Sequence, residues 1–218
     1  MLEAAPKIKL LSGERHRERV VTRDEEAKYL AATREPLGAI AVVLADTGMR
    51  PEECFRLRWE AITWINGRYG TLMVTHGKTA AARRIIPLTP RVRAVLERQL
   101  ENTGNQQERW VWPAPTYSGH VESSSLRKQH AAAIRASKVR PFLLYALRHT
   151  FLTRLGESGC DAWTLARIAG HSSITISSRY VHPSSDAVLA AMSRLGGHNS
   201  GHSQDALPEN VGQMLVTQ

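Results

Sequence analysis

The sequence predicts an α+β fold, mainly α-helical, with one small three-stranded antiparallel sheet set into it. Three observations carry this. Apolar residues recur at helical spacing between recognisable caps over most of the chain. The exception lies between Trp59 and Leu88, where short β-prone runs alternate with turn residues. Hydrophobic residues are 42% and charged residues 22% of 218, ordinary values for a chain with a packed core.

The elements follow in order. Thr22 to Glu25 form a capping box, and a helix should run from there to about Arg34. Pro36 can open a second helix through Leu37, Ile40, Val43 and Leu44 to Thr47, ended by Gly48. Pro51 opens a short third helix to Leu57. Ile62 to Ile65, Asn66-Gly67 as a tight turn, and Thr71 to Val74 read as a hairpin. Gly77-Lys78 marks a second turn and Arg83 to Leu88 a third strand. Thr89-Pro90 opens a helix to Leu100. Residues 102–122 read as a loop, pinned by Trp110 and Trp112. Helices should follow at 123–138, 145–158, 161–169, 173–181 and 184–194. From Gly196 no helical stripe is visible, so 196–218 is expected to be a disordered tail.

No apolar run approaches the roughly 20 residues of a membrane helix; the longest, Ala39 to Ala45, has core-helix length. Met1 to Leu11 has no signal-peptide core, so the chain reads as cytoplasmic. Cys54 and Cys160 are expected to be buried free thiols. Nine histidines come without HExxH or CxxC, and no metal site is expected. The net charge is +9, which calls for a polyanionic partner. It is unevenly spread. Residues 123–156 hold Arg127, Lys128, Arg135, Lys138, Arg140, Arg148 and Arg154 and no acid. That run marks a phosphate-binding surface, with Arg127, Lys128, Arg135, Lys138 and Arg140 as the DNA-binding candidates.

Five features stand out against this background. Thr47-Gly48-Met49-Arg50 puts an arginine at a helix break, and Gly77-Lys78-Thr79 puts a lysine on a β-turn. Leu144-Tyr145-Ala146-Leu147-Arg148-His149-Thr150 opens a helix inside the basic run. Gly170-His171-Ser172-Ser173 sits at another helix break, and Tyr180 follows on the next helix. In this order and spacing they resemble the catalytic domain of the tyrosine recombinase (phage integrase) family, from about Val20 to Leu195. The most specific stretch runs from Leu147 to His182.

The resemblance implies roles residue by residue. Arg50 and Arg148 match the two catalytic arginines, Lys78 the β-turn lysine, His171 the Gly-His box and Tyr180 the nucleophile. One position departs from the family: the residue three before Arg148 is commonly histidine, and here it is Tyr145. A phenol still donates to a phosphate oxygen, but with a pKa near ~10 it does not titrate near neutrality. The implied reaction is transesterification of DNA through a 3′-phosphotyrosyl link, needing neither cofactor, ATP nor metal. His171 would add a hydrogen bond or assist proton removal from Tyr180. The implied partner is double-stranded DNA, bound by a homotetramer that is a monomer in solution. A type IB topoisomerase-like nicking enzyme shares this site plan, and a non-catalytic DNA-binding module of the same descent would share the basic run. Residues 1–21 read as a linker to an N-terminal DNA-binding domain missing from this sequence, and 22–195 as the catalytic domain.

Overall fold

The structure is a computed structural model that describes residues 19–77, 80–104 and 109–181 and the single positions 189, 192 and 193. All contacts described below lie within one compact unit, Met1–His182. The protein is mainly helical with one small antiparallel sheet, as the sequence predicts. Helices α1 (Arg23–Ala31), α2 (Leu37–Thr47) and α3 (Pro51–Phe55) precede strands β1 (Ile62–Thr63), β2 (Thr71–Val74) and β3 (Arg84–Pro87). Then come α4 (Pro90–Asn102), α5 (Ser123–Ser137), α6 (Tyr145–Glu157), α7 (Ala162–Ala169) and α8 (Ile174–Ser178). The sheet order is β1-β2-β3, with Leu72 opposite both Ile62 and Ile86.

Caps set most helix starts. Thr22 and Glu25 form the reciprocal box on α1, Thr89 caps α4, and Asp161 accepts from Trp163 and Thr164 at the head of α7. α2 is apolar over nearly its whole length because all of it but Gly38 and Asp46 is buried, packed on α4 and α6. The main core joins α1 to α5 and the sheet around Tyr29, Leu37, Phe55, Leu72, Leu96 and Trp112. Tyr29 donates to His130 Nδ1 (2.7 Å), and His130 Nε2 donates to the Phe142 carbonyl (2.7 Å). That relay fixes α1, α5 and the approach to α6 as one block. A second, smaller cluster of Leu152, Leu165 and Ala169 lies under α6, α7 and α8.

Several boundaries differ from expectation. α1 stops at Ala31, where Thr33 folds back to the Leu30 carbonyl, and Glu35, preceding Pro36, is disfavoured in helix. α3 ends at Phe55. β1 keeps only two residues, so the connection runs from Trp64 to Gly70 and is no two-residue turn. Gly70 adopts φ +93°, and a Cβ there would sit 2.8 Å from the Thr63 carbonyl oxygen. α8 ends at Ser178, which leaves Tyr180 in the turn after it. Of the two tryptophans, Trp112 is buried in the core, while Trp110 lies half-buried under Arg58. Both cysteines are free, but only Cys54 is buried; Cys160 is half-buried beside the small cluster. The helix expected at 184–194 lies outside the described residues except at Leu189, Met192 and Ser193, which are helical. The expected linker is described only from Arg19, and the expected tail not at all. Among the described residues, no helix is long and apolar enough to cross a membrane.

Candidate active site

The last carbonyls of a helix have no partner within it, and the helix dipole makes that end negative. At the end of α7 three consecutive carbonyls each receive a different arginine. Arg84 Nε donates to Ile168 (2.6 Å), Arg148 Nη2 to Ala169 (2.8 Å) and Arg50 Nη2 to Gly170 (3.1 Å). Three guanidinium groups from β3, α6 and the start of α3 are thereby gathered at one point. His171 is the next residue along the chain.

Glycine makes the convergence possible at two places. Gly170 ends α7 at φ +66°, and a Cβ there would meet Arg84 Nη1 at 2.8 Å. Gly48 ends α2 at φ +62°, with the Phe151 ring where its Cβ would be. Its bare carbonyl accepts Arg148 Nη1 at 2.5 Å.

Like charges this close need a counter-charge, and Glu53 supplies it. Its carboxylate is buried between Arg84 Nη2 (2.8 Å) and Arg50 Nη1 (2.7 Å), and it also accepts the Arg50 amide (2.9 Å). Burial pushes the Glu53 carboxyl up, but the hydrogen bonds and charges of Arg84 and Arg50 outweigh it and hold it below its ordinary range. Three arginines against one carboxylate leave the site with two positive charges and neutral His171. Arg148 is fully buried, and burial followed by repulsion from Arg50 lowers it to about 10, still protonated at neutral pH. His171 is lowered to about 4 by burial and then by Arg148, Arg50 and Arg84. It is therefore neutral at pH 7. Its Nε2 accepts from Arg148 Nη2 (3.1 Å), so Nδ1 carries the hydrogen and donates to Ser177 Oγ (2.8 Å).

Tyr180 lies beside this cluster. Its ring stacks on His171 (6.3 Å between centroids, 23°) and its hydroxyl meets Nδ1 of His149 at 3.1 Å. Its backbone passes so close to α6 that a Cβ on Gly156 would lie 1.8 Å from the Tyr180 carbonyl oxygen. Tyr145 opens α6 one turn before Arg148, 53% exposed, with its phenol in electrostatic reach of that guanidinium. The structure thus brings Arg50, Arg148, His171, Tyr180 and Tyr145 together. Lys78 lies outside the described residues.

Sequence reasoning missed Glu53, Arg84 and His149. A charged residue at an inward position of β3, between Ala82 and Ile86, was the available sign of Arg84. For His149 the sign was its place on the buried face of α6 directly after Arg148. The basic run divides in two. Arg127, Lys128, Arg135, Lys138 and Arg140 are all exposed along α5 and the segment after it. Arg148 is buried in the site, and Arg154 is bound to Glu26 (2.5 Å) and the Val21 carbonyl, holding α6 to α1. Among the described residues no group of histidine, cysteine and acidic side chains is placed to hold a metal.

The profile of the phage integrase family matches residues 19–186. The chain is 28% identical over 155 residues to the tyrosine recombinase XerD of Brucella suis, covering 67% of this chain and 48% of that one. It spans about half the length of that curated relative. Among solved structures, the fold is similar to the Tn1549 transposon integrase in complex with circular intermediate DNA (TM-score 0.69, 21% identity, covering 85% of this chain and 69% of that one). It is also similar to the catalytic domain of bacteriophage HP1 integrase (TM-score 0.58, 20% identity, covering 84% of this chain and 98% of that one).

Proposed function

This chain belongs to the phage integrase family, and from that premise we propose that it is the catalytic part of a site-specific DNA recombinase. Duplex DNA is cut and rejoined through Tyr180. The observation that carries the reading is the gathering of Arg50 and Arg148 at the end of α7, with His171 and Tyr180 alongside. The related XerD carries the name tyrosine recombinase, and the related transposon integrase is bound to DNA, which supports the same substrate here.

The chemistry follows from the side chains. The Tyr180 oxygen attacks the scissile phosphorus, the bond to the 5′-oxygen breaks, and a 3′-phosphotyrosyl link forms. Charge on the pentacoordinate phosphorane meets Arg50 and Arg148, whose planar guanidinium groups bind non-bridging oxygens and keep their protons. Both are fixed by α7 carbonyls before DNA arrives, so little reorganisation is needed in the transition state. Lys78 protonates the leaving 5′-oxygen, and Tyr145 donates to a phosphate oxygen. The exposed bases of α5 hold the DNA backbone. The phosphodiester energy is kept in the covalent link, so rejoining is the same step reversed. Recombination proceeds in a homotetramer on DNA.

The test is to stop reactions on a supercoiled plasmid library with detergent, recover protein-linked DNA and sequence the junctions. A 3′ adduct on Tyr180 is expected, absent in Tyr180→Phe, which still binds DNA. An adduct in Tyr180→Phe removes the nucleophile assignment. Plasmid relaxation with no second site would instead favour a nicking topoisomerase, and DNA binding without any adduct a non-catalytic module.

A further inference from the structure

The Tyr180 phenol must lose a proton as its oxygen bonds to phosphorus. The sequence reading offered His171 for that work, but both ring nitrogens of His171 are engaged, one by Ser177 and the other by Arg148. A guanidinium only donates, so the Nε2 lone pair is already occupied by Arg148. Three surrounding arginines also make this imidazole a poor base.

His149 is placed differently. It is buried on α6, its Nδ1 lies 3.1 Å from the Tyr180 hydroxyl, and the two rings lie 5.2 Å apart. That is hydrogen-bond reach for proton transfer. Its backbone is fixed beside that of Arg148, so one helical turn presents a guanidinium to the phosphate site and an imidazole to the nucleophile.

We infer that His149 is the catalytic residue that takes the phenolic proton of Tyr180, an assignment that rests on the reading of Tyr180 as nucleophile. The required tautomer carries its hydrogen on Nε2 and a lone pair on Nδ1. As the Tyr180 oxygen bonds to phosphorus, its proton passes to Nδ1 and His149 becomes imidazolium. The phosphorus–5′-oxygen bond breaks, and that oxygen takes its proton from a separate acid, assigned above to Lys78. On rejoining, the 5′-hydroxyl attacks, its proton returns to that acid, and the His149 imidazolium gives its proton back to the departing phenolate. Acid and base are therefore different residues, and sulfur can tell them apart: a 5′-bridging phosphorothiolate leaves as a thiolate and needs no acid.

The experiment uses the full chain and a duplex bearing the junction mapped above, made with either oxygen or sulfur at the 5′-bridging position. His149→Ala should slow adduct formation about 100-fold on both duplexes, within the usual range for a lost general base. Added imidazole should restore part of the rate. His149→Asn keeps an acceptor for the Tyr180 hydroxyl but cannot take a proton, so the same loss is expected while the hydrogen bond and the fold are kept. Wild-type rates in His149→Asn, or full recovery of His149→Ala on the sulfur duplex, overturn the assignment. If the wild-type chain forms no adduct on any DNA, it is the nucleophile reading that fails.

Discussion

The arginines of the site stand on the large core, and Tyr180 stands on the small one. On the first side, Arg84, Glu53 and Arg50 form a buried ion network that bridges β3 and the start of α3, tied by carbonyl hydrogen bonds to α7. Tyr180 rests against Leu152, Leu165 and Ala169, its hydroxyl on His149, its ring between those of His149 and His171, and its backbone close to Gly156. A segment held by few buried apolar contacts opens at lower free energy than one rooted in the main core. In the proposed mechanism the phosphate clamp is thus rigid before DNA arrives, while the proposed nucleophile is released at small cost. The proposed strand exchange would require that division, since the same tyrosine would attack, stay linked and leave.

Substitutions on each side test the comparison. The largest effect is expected from Arg84→Met. It leaves the buried Glu53 carboxylate half-paired and should cost about 3–5 kcal/mol of stability. For a chain of this size that is a fall in Tm on the order of 10 °C. A change below about 1 kcal/mol in chemical denaturation would show that the network does not hold the clamp. Gly156→Ala should act on the other side alone. Alanine normally favours a helix over glycine by about 1 kcal/mol, but here its methyl collides with the Tyr180 backbone. Adduct formation should drop at least tenfold while Tm moves by only a few degrees. Equal loss of both would merge the two regions into one. A third test is the pH dependence set by His171. Its folded value of about 4 lies below the ordinary 6.5, so the unfolded chain takes up a proton first as pH falls. The stability it contributes is whole above pH 6.5 and drains away between there and about 4. His171→Gln should flatten that part of a Tm-against-pH curve, and an unchanged slope would mean that His171 is not held neutral.

Local signals made most of the fold legible. Capping residues such as Thr22, Thr89 and Asp161 act within four residues of themselves, so a sequence shows them directly. The site motifs around Arg148 and His171 are contiguous and equally readable. What escaped is non-local. Glu53 and Arg84 are 31 positions apart, and Arg84 reaches a carbonyl 84 positions on. No window of sequence contains such a pair. The same holds for His149 and Tyr180, separated by 31 positions and joined only when the turn after α8 packs on α6. The basic run misled in part for the same reason. Arg154 belongs to a fold contact with Glu26, 128 positions away. The short β1 reflects the Trp64–Gly70 connection, which uses residues the alternation pattern assigned to the strand.

Helix α6 carries Arg148, His149 and the bare notch at Gly156 on one rigid rod. Each residue turns a helix by about 100° and advances it about 1.5 Å. One residue inserted between Arg148 and Gly156 would swing the notch about a quarter of a turn away from the tyrosine, and no rotamer change could bring it back. The helix therefore works as a length gauge. A chain that keeps this site is free to grow or shrink in the connections on either side of α6, but those eight steps are fixed. Anyone redesigning this chain to shift Tyr180 should alter the connections 158–161 and 170–173 and leave the helix uncut.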